Sequence, residues 1–344
     1  MKPSRVLVLM HESLVPPASL KGLSDKEIDE FRAEYDVTAT LEKAGHEVKA
    51  LGLSDNISDL RTAITEWKPD VAFNLLEEFQ GIVTYDQYVV AFLELMKLPY
   101  TGCNPRGMMI SRDKALSKQI LSYHRIPTPG FAVIKRGQRY RMPRRLKFPL
   151  FVKSVTEDAS LGISQASVVS DPERLKERVE FIHEQTHSDA LVEEYIEGRE
   201  LYVGVLGNER LRTLPVWEMD FGTLPDVMAG IATRKVKWDR RYQQKHGIRT
   251  GAAQNLPDGC AAYLDKLSKR IFRALYLSGY ARMDFRMRPD GSVFVLEANC
   301  NPNISREEDF AYSALAAGIE YPALLEQIIR IGTNYQAAWR TDGD

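Results

Sequence analysis

Two runs that alternate apolar and polar residues, Ala281-Arg-Met-Asp-Phe-Arg-Met-Arg288 and Val293-Phe-Val-Leu-Glu-Ala-Asn299, flank the turn sequence Pro289-Asp-Gly-Ser292. A period of two on either side of Asp-Gly dictates a β-hairpin. No other stretch constrains the chain as tightly, because register decides which side chains share a face. With Asp290-Gly291 as a two-residue turn centre, Arg282 pairs with Asn299, Asp284 with Glu297 and Arg286 with Val295. Met283, Phe285, Met287, Phe294, Leu296 and Ala298 then line the opposite, core face. A three-residue loop with a bulge would shift the register by one and set Asp284 against Leu296. That pairing mixes polar with apolar, so the first is preferred.

The polar face gathers two carboxylates, an amide oxygen and a guanidinium. Oxygen-only ligands suit a hard cation, above all Mg²⁺, which often holds substrate phosphates as well. The alternative is a surface hairpin with a cross-strand salt bridge. The polar strand exit Asn299-Cys-Asn-Pro-Asn303, which has no packing rationale, favours the metal site.

At 344 residues the chain has room for two domains or three small ones. A net charge of −1 gives no electrostatic case for nucleic acid or an anionic membrane as partner. Cys103, Cys260 and Cys300 form no CxxC pair, which argues against a disulfide framework or structural zinc and fits a reducing, cytoplasmic setting. The apolar run Val6–Met10 is too short for a signal peptide or membrane span and reads as a buried first strand.

Strands are expected at 5–10, 47–51 and 70–75, alternating with helices. The first helix opens on the capping box Ser24…Glu27, shows an apolar face of Ile28, Phe31, Tyr35, Thr38 and Leu41, and stops at Gly45; others cover 57–67 and 84–96. This alternation predicts an open α/β unit with a parallel sheet over residues 1–103. Ser111 caps the next predicted helix, to Tyr123. Strands at 131–135, 148–154 and 164–169 and a helix over 171–187 make a compact α+β unit over 104–190. Residues 191–344 read as a mostly antiparallel strand-rich unit with a helix over 261–278, the hairpin and a closing helix over 321–331.

Lys153 ends a predicted strand before the small-residue loop Ser154-Val-Thr-Glu-Asp-Ala-Ser-Leu-Gly162, where backbone N–H groups can approach phosphate oxygens. Taken singly, this is a solvated lysine on a flexible hairpin. Lys114 is likewise an exposed helical lysine, Lys237 a neighbour of aromatic Trp238, and Glu193–Glu200 a charged turn. Their order is the specific signal. Asp113-Lys114 with Lys118, Pro127-Thr-Pro129, Pro149-Leu-Phe-Val-Lys153, Glu193-Glu-Tyr-Ile-Glu-Gly-Arg-Glu200, Lys237-Trp238 and Leu296-Glu-Ala-Asn299 with Pro302 follow one another along the chain.

This series resembles the ATP-grasp superfamily, and within it the D-alanine–D-alanine ligase branch, from Tyr100 to about Ile331. The resemblance implies an ATP-dependent carboxylate–amine ligase that works through an acyl phosphate and releases ADP and phosphate. It implies that Lys114 and Lys153 bind the α- and β-phosphates, that Lys237 reaches the γ-phosphate, and that the loop bearing Ser160 closes over them. The backbone at Glu194 and Ile196 would bind adenine with Glu193 nearby, and Glu200 the ribose. Asp284, Glu297 and Asn299 would ligate two Mg²⁺, for which Mn²⁺ can substitute, with Glu297 bridging; Arg282 would stabilise the transferred phosphoryl group. A homodimer is a further implication of the resemblance.

Departures from the pattern fall on the substrate side. The family's His-Gly segment after the third strand is Leu76-Glu-Glu-Phe-Gln-Gly81, its paired phosphate-loop serines are Ala159-Ser160, and its late tyrosine is Trp238. Where a Ser-Leu pair would meet the acceptor carboxylate stands Glu308-Asp309. Two acids repel a carboxylate and suit an acceptor with extra positive charge, although a helix N-terminus favours acids in any case. Glu12, after the first strand, stands where a first-substrate amine would be held. The basic stretch Lys135–Lys147 reads as a solvated loop, and Cys300 as a packed small residue with no histidine near it in sequence.

Overall fold

A computed structural model describes residues 2–17, 19–156, 164–222, 233, 236 and 239–340. Strand β1 (Arg5–His11) lies between β2 (Glu47–Leu53) and β3 (Val71–Asn74), all parallel. Val6 to Met10 are fully buried, as an all-apolar strand requires when both faces are covered. Leu7 and Leu9 pack with Leu60, Val90 and Leu93; Val6 and Val8 pack with Val37, Leu41, Leu325 and Ile328. The second group includes the helix Tyr321–Thr333, so the end of the chain returns to the first sheet.

Ser24 and Glu27 form the expected capping box, but the helix Asp25–Glu30 ends at Phe31 (φ −125°, ψ 24°) and a second helix runs Arg32–Lys43. The break turns the later helix, so its buried face is Glu34, Val37, Thr40 and Leu41 rather than the run from Ile28 to Thr38. Ser111 caps nothing. It lies in a helix, Pro105–Arg112, that was not anticipated, and bonds back to Gly107 O at 2.8 Å, while Asp113 caps Lys114–Tyr123.

A second sheet, antiparallel throughout, has the order β4 (Phe131–Ile134), β7 (Ala190–Glu194), β5 (Leu150–Ser154), β6 (Val168–Val169). The helix Pro172–Thr186 covers it with Leu175, Val179 and Ile182. The 164–169 strand shrinks to two residues after a 3₁₀ turn.

The third sheet runs β11 (Arg249–Ala252), β10 (Trp217–Asp220), β8 (Arg199–Leu206), β12 (Tyr280–Met287), β13 (Val293–Cys300), with β9 (Arg212–Thr213) paired to β8. The helix Cys260–Ala274 packs Leu264, Leu267 and Ile271 into the core it shares with Met283, Phe285 and Val295.

The β12–β13 hairpin uses both registers. Beside the turn, Phe285 pairs with Val295, Arg286 with Phe294 and Met287 with Val293. Gly291 takes φ +82° and donates to Arg288 O at 2.9 Å, closing a three-residue loop that only a residue at ease in the left-handed region accepts. A bulge at Leu296 then restores Asp284 opposite Glu297 and Arg282 opposite Asn299. The expected pairing of Arg286 with Val295 is therefore corrected. So is part of the core face: Val293 and Val295 are buried, while Phe294 and Leu296 are only partly so.

Candidate active site

Three antiparallel strands carry the site in rows. Glu200, Arg286 and Phe294 lie opposite one another; Tyr202, Asp284 and Glu297 form the next row; Gly204, Arg282 and Asn299 the third. Directly opposed residues share a face, so β8 adds Glu200 and Tyr202 to the polar surface anticipated from the hairpin.

Arg282 forks onto Asp284, Nε to Oδ1 at 2.7 Å and Nη2 to Oδ2 at 2.9 Å, with its guanidinium 4.8 Å from the centre of the Tyr202 ring. Burial opposes its charge, but Asp284 outweighs burial and holds the guanidinium protonated above its ordinary range. Asn299 Nδ2 donates to Asp284 Oδ2 at 3.1 Å and lies 3.4 Å from Glu297 Oε1, so the three side chains converge on one point. Two carboxylates and an amide, whose oxygen comes forward when the amide turns over, make an all-oxygen donor set that fits Mg²⁺.

Arg286 donates to Glu200 Oε2 at 2.6 Å and to Gly198 O at 3.0 Å, and the Tyr202 hydroxyl takes the other Glu200 oxygen at 2.7 Å. Burial, then the charges of Glu200 and Asp284, push the Tyr202 phenol well above its usual value, so it stays a donor. Sequence reasoning gave Arg286 no role and passed over Tyr202. Alternation from Arg282 and Asp284 pointed to the first; only the pairing of β8 with β12 reveals the second.

The lysines come from the second sheet and its neighbouring helix. Lys153, at the end of β5, sits 2.8 Å from Glu193 Oε2, and Lys118 pairs with the other oxygen of the same carboxylate. All three are buried. Burial pushes the Lys118 ammonium down; for Lys153 burial acts the same way, but Glu193 and Glu297 reverse it and raise the pKa. Glu193 resists its own burial because both lysines hold it below the usual carboxylate range. Lys114 Nζ stands 3.9 Å from Glu297 Oε2, linking this cluster to the hairpin face. Lys118 follows Lys114 by one helical turn, and that spacing was its only sequence signal.

The segment after β7 places Ile196 in the core and engages the Glu194 N–H with Gly130 O at 2.8 Å, so Glu194 can offer a ligand only its backbone carbonyl and side chain. Gly204 has no Cβ to meet Phe310, so the helix Asp309–Ala316 seats against β8. Asp309 thereby lines a narrow cleft with Arg282, Tyr202, Trp217 and Phe310. Glu308 is that helix's N-cap. Glu12 opens an exposed 3₁₀ turn that packs over Gly52. Cys300 is buried, with the Ser111 hydroxyl 3.1 Å from its sulfur. Lys237 and Ser160 lie outside the described residues.

A sheet presenting carboxylates and an amide, faced by a second sheet presenting buried lysines, defines the ATP-grasp class. The family model for the D-ala D-ala ligase C-terminus matches residues 120–330. An uncharacterized protein of Sinorhizobium fredii, y4sG, is 32% identical over 303 residues, covering 86% of this chain and 85% of that protein. The D-alanine–D-alanine ligase of Syntrophotalea carbinolica is 31% identical over 317 residues, covering 90% and 92%. The crystal structure of the Bacillus anthracis D-alanine–D-alanine ligase complexed with ATP superposes with a TM-score of 0.73 at 25% identity, covering 96% and 97% of the two chains. The chain belongs to the D-alanine–D-alanine ligase family. It is an ADP-forming, carbon–nitrogen bond-forming ligase of the ATP-grasp fold that uses ATP with Mg²⁺. No helix among the described residues is long and apolar enough to cross a membrane.

Proposed function

We propose that this ligase joins a small carboxylic acid to an amine that carries positive charge beyond its reacting nitrogen. The observation that carries the reading is Asp309 beside Arg282 in one cleft, with Glu308 next to it. An acid there repels a plain α-carboxylate and attracts a cation.

The roles proposed are those the resemblance implies, and the described geometry is compatible with them. Lys114 and Lys153 neutralise nucleotide phosphates, and Lys237 and Ser160 are assigned to the same phosphates by family resemblance alone; the Glu194–Ile196 segment takes adenine, and Glu200, held by Arg286 and Tyr202, takes the ribose hydroxyls. Asp284, Glu297 and Asn299 would hold Mg²⁺, or Mn²⁺ in its place, two ions being the number proposed. Bound there, the metal would supply neutralisation of phosphate charge. Arg282, locked by Asp284, faces the charge that develops on the phosphoryl group and then on the tetrahedral carbon. Phosphoryl transfer gives the carboxylate a leaving group; the amine attacks the acyl carbon, phosphate departs, and a proton is lost from nitrogen.

A second reading, ligation of two D-alanines, is favoured by the names of the relatives. ADP release with mass detection of products decides, using amino acids of both hands, diamines and dipeptides as paired substrates. A condensed product containing a cationic amine supports the first reading. Turnover with D-alanine alone establishes the second.

A further inference from the structure

The basic stretch Lys135–Lys147 is pinned to the body of the protein. It belongs to the crossover between β4 and β5, which are parallel and separated by β7. β4 ends opposite Ala190 and β5 begins opposite Glu194, so the crossover spans about 10 Å across the sheet and about 13 Å along it. Tyr140, Met142, Leu146 and Phe148 turn inward and pack on the core that holds Leu150, Val152, Leu175 and Val179. Every basic residue of the stretch, two lysines and five arginines, is exposed. Among the described residues none of these seven takes part in an ion pair. The acids beside them are engaged elsewhere: Asp189 accepts from Arg136 N at 2.8 Å, and Glu180 pairs with Lys176 at 3.8 Å.

Seven positive charges gathered within about two Debye lengths repel one another, and an opposing anionic surface relieves that repulsion. The choice of anion follows from the surroundings. Outside the stretch the chain holds 39 basic and 47 acidic residues, a net charge of −8. That field repels a long polyanion running beyond the patch, and the inward-turned aromatic rings leave no platform on which bases could stack. No large apolar side chain of the stretch is exposed to enter a bilayer. Arginine forks take carboxylates two hydrogen bonds at a time, which suits a short acidic segment that ends where the patch ends.

We propose that residues 135–147 are a docking surface for an acidic segment of a partner protein, whose carboxylates pair with Arg139, Arg141, Arg144 and Arg145. The surface adjoins the segment proposed for adenine without entering it: Leu146 closes over Gly130, whose carbonyl takes the Glu194 N–H at 2.8 Å.

Binding to the full chain at about 150 mM salt tests this, with a labelled glutamate-rich peptide of about a dozen residues, a single-stranded RNA of equal length and phosphatidylserine vesicles as probes. The peptide binds with a Kd of about 10 μM or tighter, at least about tenfold tighter than the RNA, and the vesicles do not bind. The combined variant Arg139→Glu, Arg141→Glu, Arg144→Glu, Arg145→Glu weakens the peptide at least about tenfold. Glutamine at those four positions, which adds no repulsion, gives a smaller loss in the same direction. The charge-matched control Arg61→Glu, Arg125→Glu, Arg210→Glu, Arg330→Glu, at exposed arginines elsewhere, weakens it less than about threefold. Melting curves confirm that all three variants fold. A peptide that does not bind, or equal losses in the stretch and control variants, overturns the proposal. Tighter binding of the RNA or the vesicles overturns it too, and gives the surface to phosphates instead.

Discussion

The two polar regions of this molecule treat buried charge in opposite ways. On the nucleotide side, Glu193 neutralises Lys118 and Lys153, Asp284 neutralises Arg282, and Glu200 is held by Arg286 and Tyr202. At the cavity by β3 and the β13 exit, Glu34 is buried beside another acid, and two amide donors have no partner. In the first region each of these buried charges has an opposite charge beside it. The second leaves two buried amide donors without a partner.

The largest effect should come from breaking the satisfied side at its most reactive point. Arg282→Ala is expected to lower the rate of ADP formation by about 10²–10³-fold, because it removes the guanidinium that Asp284 fixes beside the proposed metal ligands. Steady-state assays with melting curves separate lost catalysis from lost fold; a rate within twofold of wild type would remove Arg282 from the mechanism.

Comparable in free energy is Glu193→Leu, which strands two buried ammonium groups. Urea denaturation should show a loss of about 3–5 kcal/mol. Replacing Lys118 and Lys153 by methionine in the same chain should restore most of it, while nucleotide binding stays lost. Failure of that rescue would mean that the pairing is not what the cluster contributes.

The unsatisfied side should respond with the opposite sign. Burial, and then the charge of Glu77, raise the Glu34 carboxyl from 4.5 to about 7. The folded state therefore binds more protons than the unfolded state between those values. That contribution is fully present below pH 4.5 and is lost as pH rises through about 7. Glu34→Gln removes the loss, so the variant should be more stable than wild type by about 2–3 kcal/mol at pH 8 and equal to it near pH 4.5. Denaturation at both pH values checks this. A variant less stable at pH 8 would show that Glu34 already has a stabilising partner.

The smallest change is Tyr202→Phe, which removes one hydrogen bond to Glu200 and leaves its pairing with Arg286 intact. Nucleotide affinity should fall by about 1 kcal/mol. A far larger fall would mean that the Glu200 pair depends on the phenol for its position.

What could be read in advance divides along similar lines. Asp284, Glu297, Asn299 and Arg282 were visible because alternation on a hairpin is local and a turn announces itself. The lysines were visible through their order. Less local features were misjudged. The break at Phe31 moved the buried face to Glu34, and Asp113 rather than Ser111 proved to be the cap.

The sequence by itself determined the alternating runs, their polar face, the succession of cationic and acidic motifs and, through them, the family. Tertiary structure decided how those groups meet. It chose a three-residue turn and then cancelled its offset with a bulge at Leu296, because the core needs Val293 and Val295 while the site needs Asp284 opposite Glu297. It set Glu193 between two lysines from different elements and gathered Glu34, Asn74 and Asn301 around one cavity. Periodicity and turn chemistry act over a few residues and can be read from order alone. Burial and pairing depend on which distant segments come to share a space, and only the folded chain specifies that.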